Sequence, residues 1–223
     1  MRFLPLLLAG ALLLPACRAY GPADPTTLPA PARPAVPVAT PVPSAPATSF
    51  DEDVLYLEGR ELVVPVAPAV SPRIRDSFTE GRDRGARQHN AIDIMAPRGT
   101  PVLAADSGRV LRMSTSTLGG ITLYATDPGE RLVYYYAHLD AYHPSVTQGM
   151  RIARGDTLGF VGSTGNASAD APHLHFQVMR MPPDRRYCDG TPINPYPVLA
   201  GAARRTAGGA GGAQQAGTAR DPR

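Results

Sequence analysis

The apolar residues between positions 61 and 199 come in short runs separated by turn signals, and this pattern most constrains the fold of the chain. No window of helical length carries an apolar stripe with a period of 3.6, whereas Gly, Pro and Asp recur at spacings that suit β-turns. The predicted strands lie at 62–66, 102–105, 109–113, 121–125, 132–138, 158–161 and 174–179. We therefore expect an all-β fold, with a single antiparallel β domain over residues 50–200.

The two ends of the chain differ from this central region in composition. Residues 18–49 contain nine prolines among Ala, Val and Thr, so this segment cannot bury a core and is expected to be an extended linker. Residues 201–223 are rich in Gly, Ala and Arg with little apolar bulk, and we expect a disordered tail there.

The first 17 residues have the features of an export signal. Arg2 precedes a short apolar run at 4–14, which is too short to span a bilayer as a mature helix. Leu14-Pro15-Ala16-Cys17 resembles a lipoprotein processing site, so we expect a lipid anchor at Cys17 that holds the protein on the outer membrane, facing the periplasm. The alternative is ordinary signal cleavage near residues 19–21, which would give a periplasmic or secreted protein.

Charge and cysteine content restrict the partners. The formal net charge is +3 and every basic residue is Arg, but the sequence has no basic helix and no alternating basic and aromatic residues. Nucleic acid is therefore not an expected partner, and we expect a monomer. The only other cysteine, Cys188, lacks an intrachain partner if Cys17 is acylated or removed, so we expect an unpaired thiol; the alternative is a fourth zinc ligand.

Four of the five histidines fall in three short motifs: His89 in HNAID, His138 in YAHL, and His173 and His175 in PHLHF. Residues two apart on a strand project from one face about 7 Å apart, which favours one ligand and one proton handler in the last motif. His89 and Asp93 would lie about 13 Å apart on a straight strand, too far to share one ion. We therefore predict a bend at Asn90 and Ala91 with a strand beginning directly after it. His143, in AYHP, is expected to be structural.

Together these motifs resemble the lysostaphin-type (LytM domain) family of zinc metallopeptidases, which cut peptide bonds in bacterial peptidoglycan. The resemblance covers roughly residues 62–199 and rests on HNAIDI, APRGTPVLAADSGRV, YYAHLD, GDTLGFVGSTGNA, APHLHF and INPYPVL, in that order. It implies that His89, Asp93 and His175 bind Zn²⁺. It also implies that His138 and His173 form a catalytic pair that orients and deprotonates the metal-bound water. His173 could take the water proton and His138 could stabilise the oxyanion, but the sequence alone does not apportion these two roles. The sequence departs from the family pattern at Ala91 and at Phe78-Thr79, where Gly and Phe-Gly are usual.

The resemblance implies a zinc metalloendopeptidase that hydrolyses D,D-cross-links between the stem peptides of peptidoglycan. The first alternative is a catalytically silent relative that binds and activates wall amidases, but the complete set of implied ligands favours an enzyme. The second is a structural zinc protein, which requires His138 or Cys188 to close a four-ligand site.

Overall fold

The computed structural model describes residues 49–68, 73–82 and 85–211. Two α-helices, α1 (Ser49–Glu58) and α2 (Tyr196–Gly211), flank the strands in sequence. The strands are β1 (Arg73–Ile74), β2 (Gly81–Arg82), β3 (Arg87–Gln88), β4 (Ile92–Met95), β5 (Pro101–Leu103), β6 (Gly108–Ser116), β7 (Gly120–Thr126), β8 (Leu132–Tyr142), β9 (Arg151–Ile152), β10 (Thr157–Val161), β11 (His173–Arg180) and β12 (Thr191–Ile193). A 3₁₀ turn spans Tyr187–Asp189.

Ten of these strands form one antiparallel sheet, which confirms the predicted fold class. Its main path runs β1-β4-β11-β8-β7-β6-β9, while β12 pairs with β11, and β10 pairs with both β5 and β8. The remaining strands, β2 and β3, form a separate hairpin. Antiparallel neighbours joined by short turns fit the frequent Gly, Pro and Asp signals in the sequence.

Alternation along the two central strands separates a core face from a second face. On β11, Leu174, Phe176 and Val178 are fully buried in the main core, and the residues between them point the other way. On β8, Tyr134 and Tyr136 join the same core. The opposite face of these strands, which carries His173 and His175, is available for a site.

Six of the seven predicted strands match strands of the structure, and the seventh, at 62–66, does not. This segment lies beside β5, where Val63 donates to the Ala105 carbonyl and Leu103 donates to the Pro65 carbonyl, but only Val66 forms a β-bridge, with Val102. Pro65 has no N–H to donate, so a regular ladder is interrupted there.

The strand pattern did not predict helix α1. This helix packs against the sheet near Arg180, the C-terminal residue of β11. The hydroxyl of Tyr56 donates to Asp127 over 2.6 Å, and the Arg131 guanidinium lies 4.1 Å from the Tyr56 ring centroid. Asp53 forms an ion pair with Arg180 at 3.1 Å. Leu57 is fully buried in the core. Helix α1 is therefore docked on the sheet.

The structure differs from two expectations about the C-terminal part. Helix α2 continues to Gly211, so residues 201–211 are helical rather than disordered; buried Leu199 and Ala202 anchor the helix, and alanine is the best helix former. Residues 212–223 lie outside the described residues. Cys188 is disulfide-bonded, so in this chain it is neither an unpaired thiol nor a thiolate ligand for zinc; the unpaired thiol is expected for a chain whose Cys17 is acylated or removed. The signal and linker predicted over residues 1–48 also lie outside the described residues, within which no helix is long and apolar enough to cross a membrane.

Candidate metal centre

The chain bends between His89 and Asp93, as the spacing of the two residues requires. Asn90 adopts a left-handed conformation with φ of 57°, which asparagine tolerates better than most residues, and β4 begins two residues later. The bend brings His89 Nε2 to 2.9 Å from Asp93 Oδ1. The predicted position of the bend is confirmed.

Sheet register places His175 directly beside Asp93. The two residues are partners across β11 and β4, and His175 Nδ1 lies 3.1 Å from Asp93 Oδ1. His175 Nδ1 also lies 3.0 Å from His89 Nε2. One atom from each of the three residues therefore meets at a single point, and these residues form a group that could hold a metal ion.

The His89 ring directs Nε2 at this meeting point. His89 Nδ1 lies 2.9 Å from the carbonyl oxygen of Ser77, which can only accept, so Nδ1 carries a proton and Nε2 is the ring atom directed at Asp93. Nε2 and the Asp93 carboxylate oxygen can be held together by positive charge between them, from a proton or from a metal ion.

The donor set fits zinc. Ligands about 2.0–2.1 Å from a tetrahedral zinc ion lie about 3.3 Å from one another, close to the three distances of 2.9 to 3.1 Å. Two imidazoles and one carboxylate are the ligand types of catalytic zinc sites, which keep a fourth position open. The residues present therefore suit a catalytic rather than a closed structural site.

The electrostatics of the group keep it ready to bind a cation. Burial raises the pKa of Asp93, but hydrogen bonds to His175 and His89 outweigh burial and hold that pKa well below its usual range. Burial lowers the pKa of His175, which favours its neutral, metal-binding form.

Two residues that sequence reasoning missed hold the ligands in place. Ser77 is fully buried, and besides binding His89 through its carbonyl it accepts a hydrogen bond from the Asp93 N–H at 3.1 Å through Oγ. Arg82, on β2, donates to Asp93 Oδ2 at 2.5 Å, which leaves Oδ1 directed at the two imidazoles. Partners of this kind fix ligand orientation. Neither lies in a motif, so only the folded arrangement reveals them.

The other two candidate histidines lie beside this group. The ring centroid of His138 is 5.0 Å from that of His173 and 5.6 Å from that of His175, and His173 Nε2 lies 3.8 Å from Asp93 Oδ1. His173 Nδ1 donates to the Ala171 carbonyl and His138 Nδ1 donates to the Thr164 carbonyl, both over 2.8 Å. Each ring is therefore fixed in the tautomer that leaves Nε2 as an acceptor.

A β-bulge turns His138 towards the site. Simple alternation from Tyr134 and Tyr136 would place His138 in the core, but the β7–β8 register shifts between Leu123 and Ile121, and His138 has a φ of 59°. Leu139 takes the buried core position instead, and His138 joins the face that carries His173 and His175. Bulges commonly re-aim a side chain next to an active site.

All four histidines line one open cleft of about 710 Å³. Its lining also includes Arg82, Arg87 and Gln88 of the β2–β3 hairpin, and Leu118, Asn166 and Ser168 from two loops. Tyr135 lines it too, with its ring centroid 6.0 Å from that of His175. His143 is not among the residues that line this cleft, and its Nδ1 lies 2.8 Å from Ser145 Oγ.

Comparison with known proteins points to one family. Residues 87–195, which contain every residue of the ligand group and both neighbouring histidines, match the model of Peptidase family M23. The chain covers 90% of a solved structure of LytU at 30% identity, with a TM-score of 0.51 over 60% of this chain.

Two curated relatives each match part of the chain. Lysostaphin of Staphylococcus simulans is 36% identical over 124 residues, which are 54% of this chain and 23% of lysostaphin. The peptidoglycan DD-endopeptidase ShyC of Vibrio cholerae is 31% identical over 93 residues, 42% of this chain and 20% of ShyC. The chain therefore spans about a quarter or less of the length of these relatives.

Proposed function

Because the chain belongs to Peptidase family M23, we propose that it is a zinc-dependent endopeptidase that hydrolyses peptide bonds of bacterial peptidoglycan. The observation that carries this proposal is the meeting of His89 Nε2, Asp93 Oδ1 and His175 Nδ1 beside two further imidazoles in an open cleft. A protein that only stores zinc has no need of His138 and His173 as two further proton acceptors beside the ligands.

His89, Asp93 and His175 would hold the zinc ion, which when bound supplies Lewis-acid chemistry at a carbonyl group and lowers the pKa of water. Ser77 and Arg82 keep the three ligand atoms directed at one point through the contacts described above. The ion pair between Arg82 and Asp93 occupies Oδ2 of the carboxylate and leaves Oδ1 for the metal.

His138 and His173 would move the protons. Both rings present Nε2 as an acceptor, so either can take a proton from the attacking water, and the resulting N–H can then donate to the oxyanion or to the leaving amine. Burial lowers the pKa of His138 to about 4, which keeps this ring neutral and able to accept at neutral pH. The leaving amine must receive a proton before it departs, and the same imidazoles lie in the cleft to supply it.

We further propose that the bond cut is a D,D-cross-link between stem peptides. ShyC, a relative of this domain, is named for DD-endopeptidase activity on peptidoglycan. The test is to digest purified peptidoglycan with the zinc-loaded full chain and to identify the released muropeptides by mass spectrometry. The expected products are muropeptide monomers released from cross-linked dimers. Cleavage of a polyglycine bridge instead would overturn the proposed bond but not the proposed peptidase activity.

A silent regulator of wall amidases makes the opposite prediction. Such a protein would bind peptidoglycan or an amidase and release no peptide fragments by itself. His173→Ala provides the matched control, since this change removes a proton acceptor and keeps His89, Asp93 and His175. Release of fragments by the wild type but not by this variant would exclude the regulator.

We propose that the protein acts in the cell envelope after export, held by a lipid on Cys17. Acylation consumes the Cys17 thiol, so a lipid on Cys17 and a disulfide between Cys17 and Cys188 of one chain are mutually exclusive. Mass spectrometry of the protein purified from membranes distinguishes the outcomes: an N-terminal diacylglyceryl peptide supports the anchor, and a peptide that joins Cys17 to Cys188 excludes it.

A further inference from the structure

The bulge at His138 places a non-glycine residue in a conformation that costs energy. His138 has a φ of 59°, in the left-handed region, and such conformations persist where the surroundings determine them fully. The N–H of His138 donates to the Gly119 carbonyl at 2.8 Å, which accounts for one restraint. The remaining restraints come from Thr164, a residue of the GDTLGFVGSTGNA segment to which no role has been assigned above.

Thr164, in the loop between β10 and β11, contacts the bulge at three points. Its carbonyl accepts from His138 Nδ1 at 2.8 Å. Its hydroxyl donates to the Leu139 carbonyl at 2.7 Å and accepts from the Ile121 N–H at 2.9 Å. Since Ile121 and Leu139 are partners across β7 and β8, this hydroxyl bridges the two strands directly after the bulge.

The surrounding backbone is built around Thr164. Gly120 has a φ of 65°, and a Cβ at that position would lie 2.1 Å from Thr164 Oγ1 and 2.4 Å from the Thr164 carbonyl carbon. Asn166 donates to the Leu118 carbonyl at 3.0 Å, which joins the same loop to the β6–β7 turn. The loop therefore approaches β7 so closely that only glycine fits at position 120, and Thr164 packs directly against Gly120.

We propose that Thr164 is a positioning residue for the reaction: its hydroxyl locks the bulge, and its carbonyl holds the His138 ring with Nε2 towards the metal group. This role rests on the proposed function, because positioning matters only if His138 handles protons. Thr164 itself does not line the cleft. It acts through His138, in the way that outer partners orient metal ligands.

The test uses Thr164→Val in the full chain, which keeps the side-chain shape and removes both hydroxyl hydrogen bonds. We expect kcat on peptidoglycan to fall about 100-fold with KM and zinc stoichiometry unchanged, since a displacement of about 1 Å in a reacting group has an effect of this size. Histidine ¹⁵N NMR of the zinc-loaded protein should show that His138 loses its defined Nδ1–H tautomer. Thr164→Ser, which keeps the hydroxyl, should restore both properties.

Thr126→Val is the matched control, because the Thr126 hydroxyl likewise donates to a backbone carbonyl, that of Leu132, at the far end of the β7–β8 pair. It should keep kcat and the His138 tautomer. The proposal would be overturned if Thr164→Val kept the wild-type kcat and the wild-type His138 tautomer. It would also be overturned if Thr164→Val lost both zinc and the Nδ1–H tautomer, because Thr164 would then serve the fold alone. If the valine variant does not fold, Thr164→Ala removes the same hydroxyl with less bulk. If the wild type releases no fragments, the proposed function fails, and the NMR tautomer still decides the role of Thr164.

Discussion

The left-handed backbone at position 138 can be tested by comparing the free energies of unfolding of His138→Ala and His138→Gly. We expect the glycine variant to be the more stable of the two. Both substitutions remove the imidazole and its hydrogen bond to the Thr164 carbonyl, so that loss cancels in the comparison. What remains is the backbone, which has a φ of 59°. Glycine adopts this region freely, whereas a residue with a Cβ does not.

The size of the difference follows from two opposing contributions to the free energy of unfolding. A left-handed conformation costs a residue with a Cβ about 1–2 kcal/mol. The greater freedom of glycine in the unfolded chain offsets about 0.4–1 kcal/mol of this. We therefore expect His138→Gly to be more stable than His138→Ala by about 0.5–1 kcal/mol, or about 1–4 °C in Tm for a domain of this size.

The neighbouring residue supplies a control with the opposite sign. Ala137 is fully buried on β8 and is not among the residues with positive φ. Ala137→Gly should therefore lower stability, by about 0.5–1 kcal/mol, as glycine does within a strand. Urea denaturation of the four proteins measures these differences. If His138→Ala is as stable as His138→Gly, the backbone at 138 is not left-handed and the explanation of how His138 reaches the cleft is wrong.

Three further predictions concern the metal group and its neighbours. His175→Ala should lose zinc, whereas His173→Ala should keep zinc and lose turnover, measured as metal content and fragment release on the same samples; retention of zinc by His175→Ala would contradict the ligand set. Ser77→Ala should weaken zinc binding about 10- to 100-fold in a chelator competition, since it removes the Asp93 N–H contact, with exposed Ser145→Ala as the control and equal affinities as the refuting result. Burial lowers the pKa of His138 from 6.5 to about 4, so between these values the unfolded chain binds the proton and the fold does not. Stability of the metal-free protein should therefore fall as pH falls from about 6.5 to 4, and more steeply than in His138→Gln; parallel pH profiles would refute the assignment.

Much of the fold follows from local patterns in the sequence. The long runs that became β8 and β11 alternate or are continuously apolar, and turn residues bound them on both sides. The bend at Asn90 was predictable because distance alone forbids a straight strand between two residues that share an ion. These features depend on the period and reach of a β-strand.

The parts that could not be predicted depend on contacts distant in sequence. Alternation places His138 in the core, and only the contacts with Gly119 and Thr164 reveal the bulge that turns it outward. Ser77 and Arg82 act through single contacts to the ligands and carry no spacing signal. Helix α1 is held by side chains such as Asp53 with Arg180, separated by most of the domain.

Zinc titration of the metal-free chain, with turnover of purified peptidoglycan measured at each step, tests the central claim most directly. We predict that fragment release rises in proportion to added zinc and reaches its maximum at one zinc ion per chain, because His89, Asp93 and His175 form a single group. Full turnover without metal, or one bound zinc with no fragments released, would contradict the account.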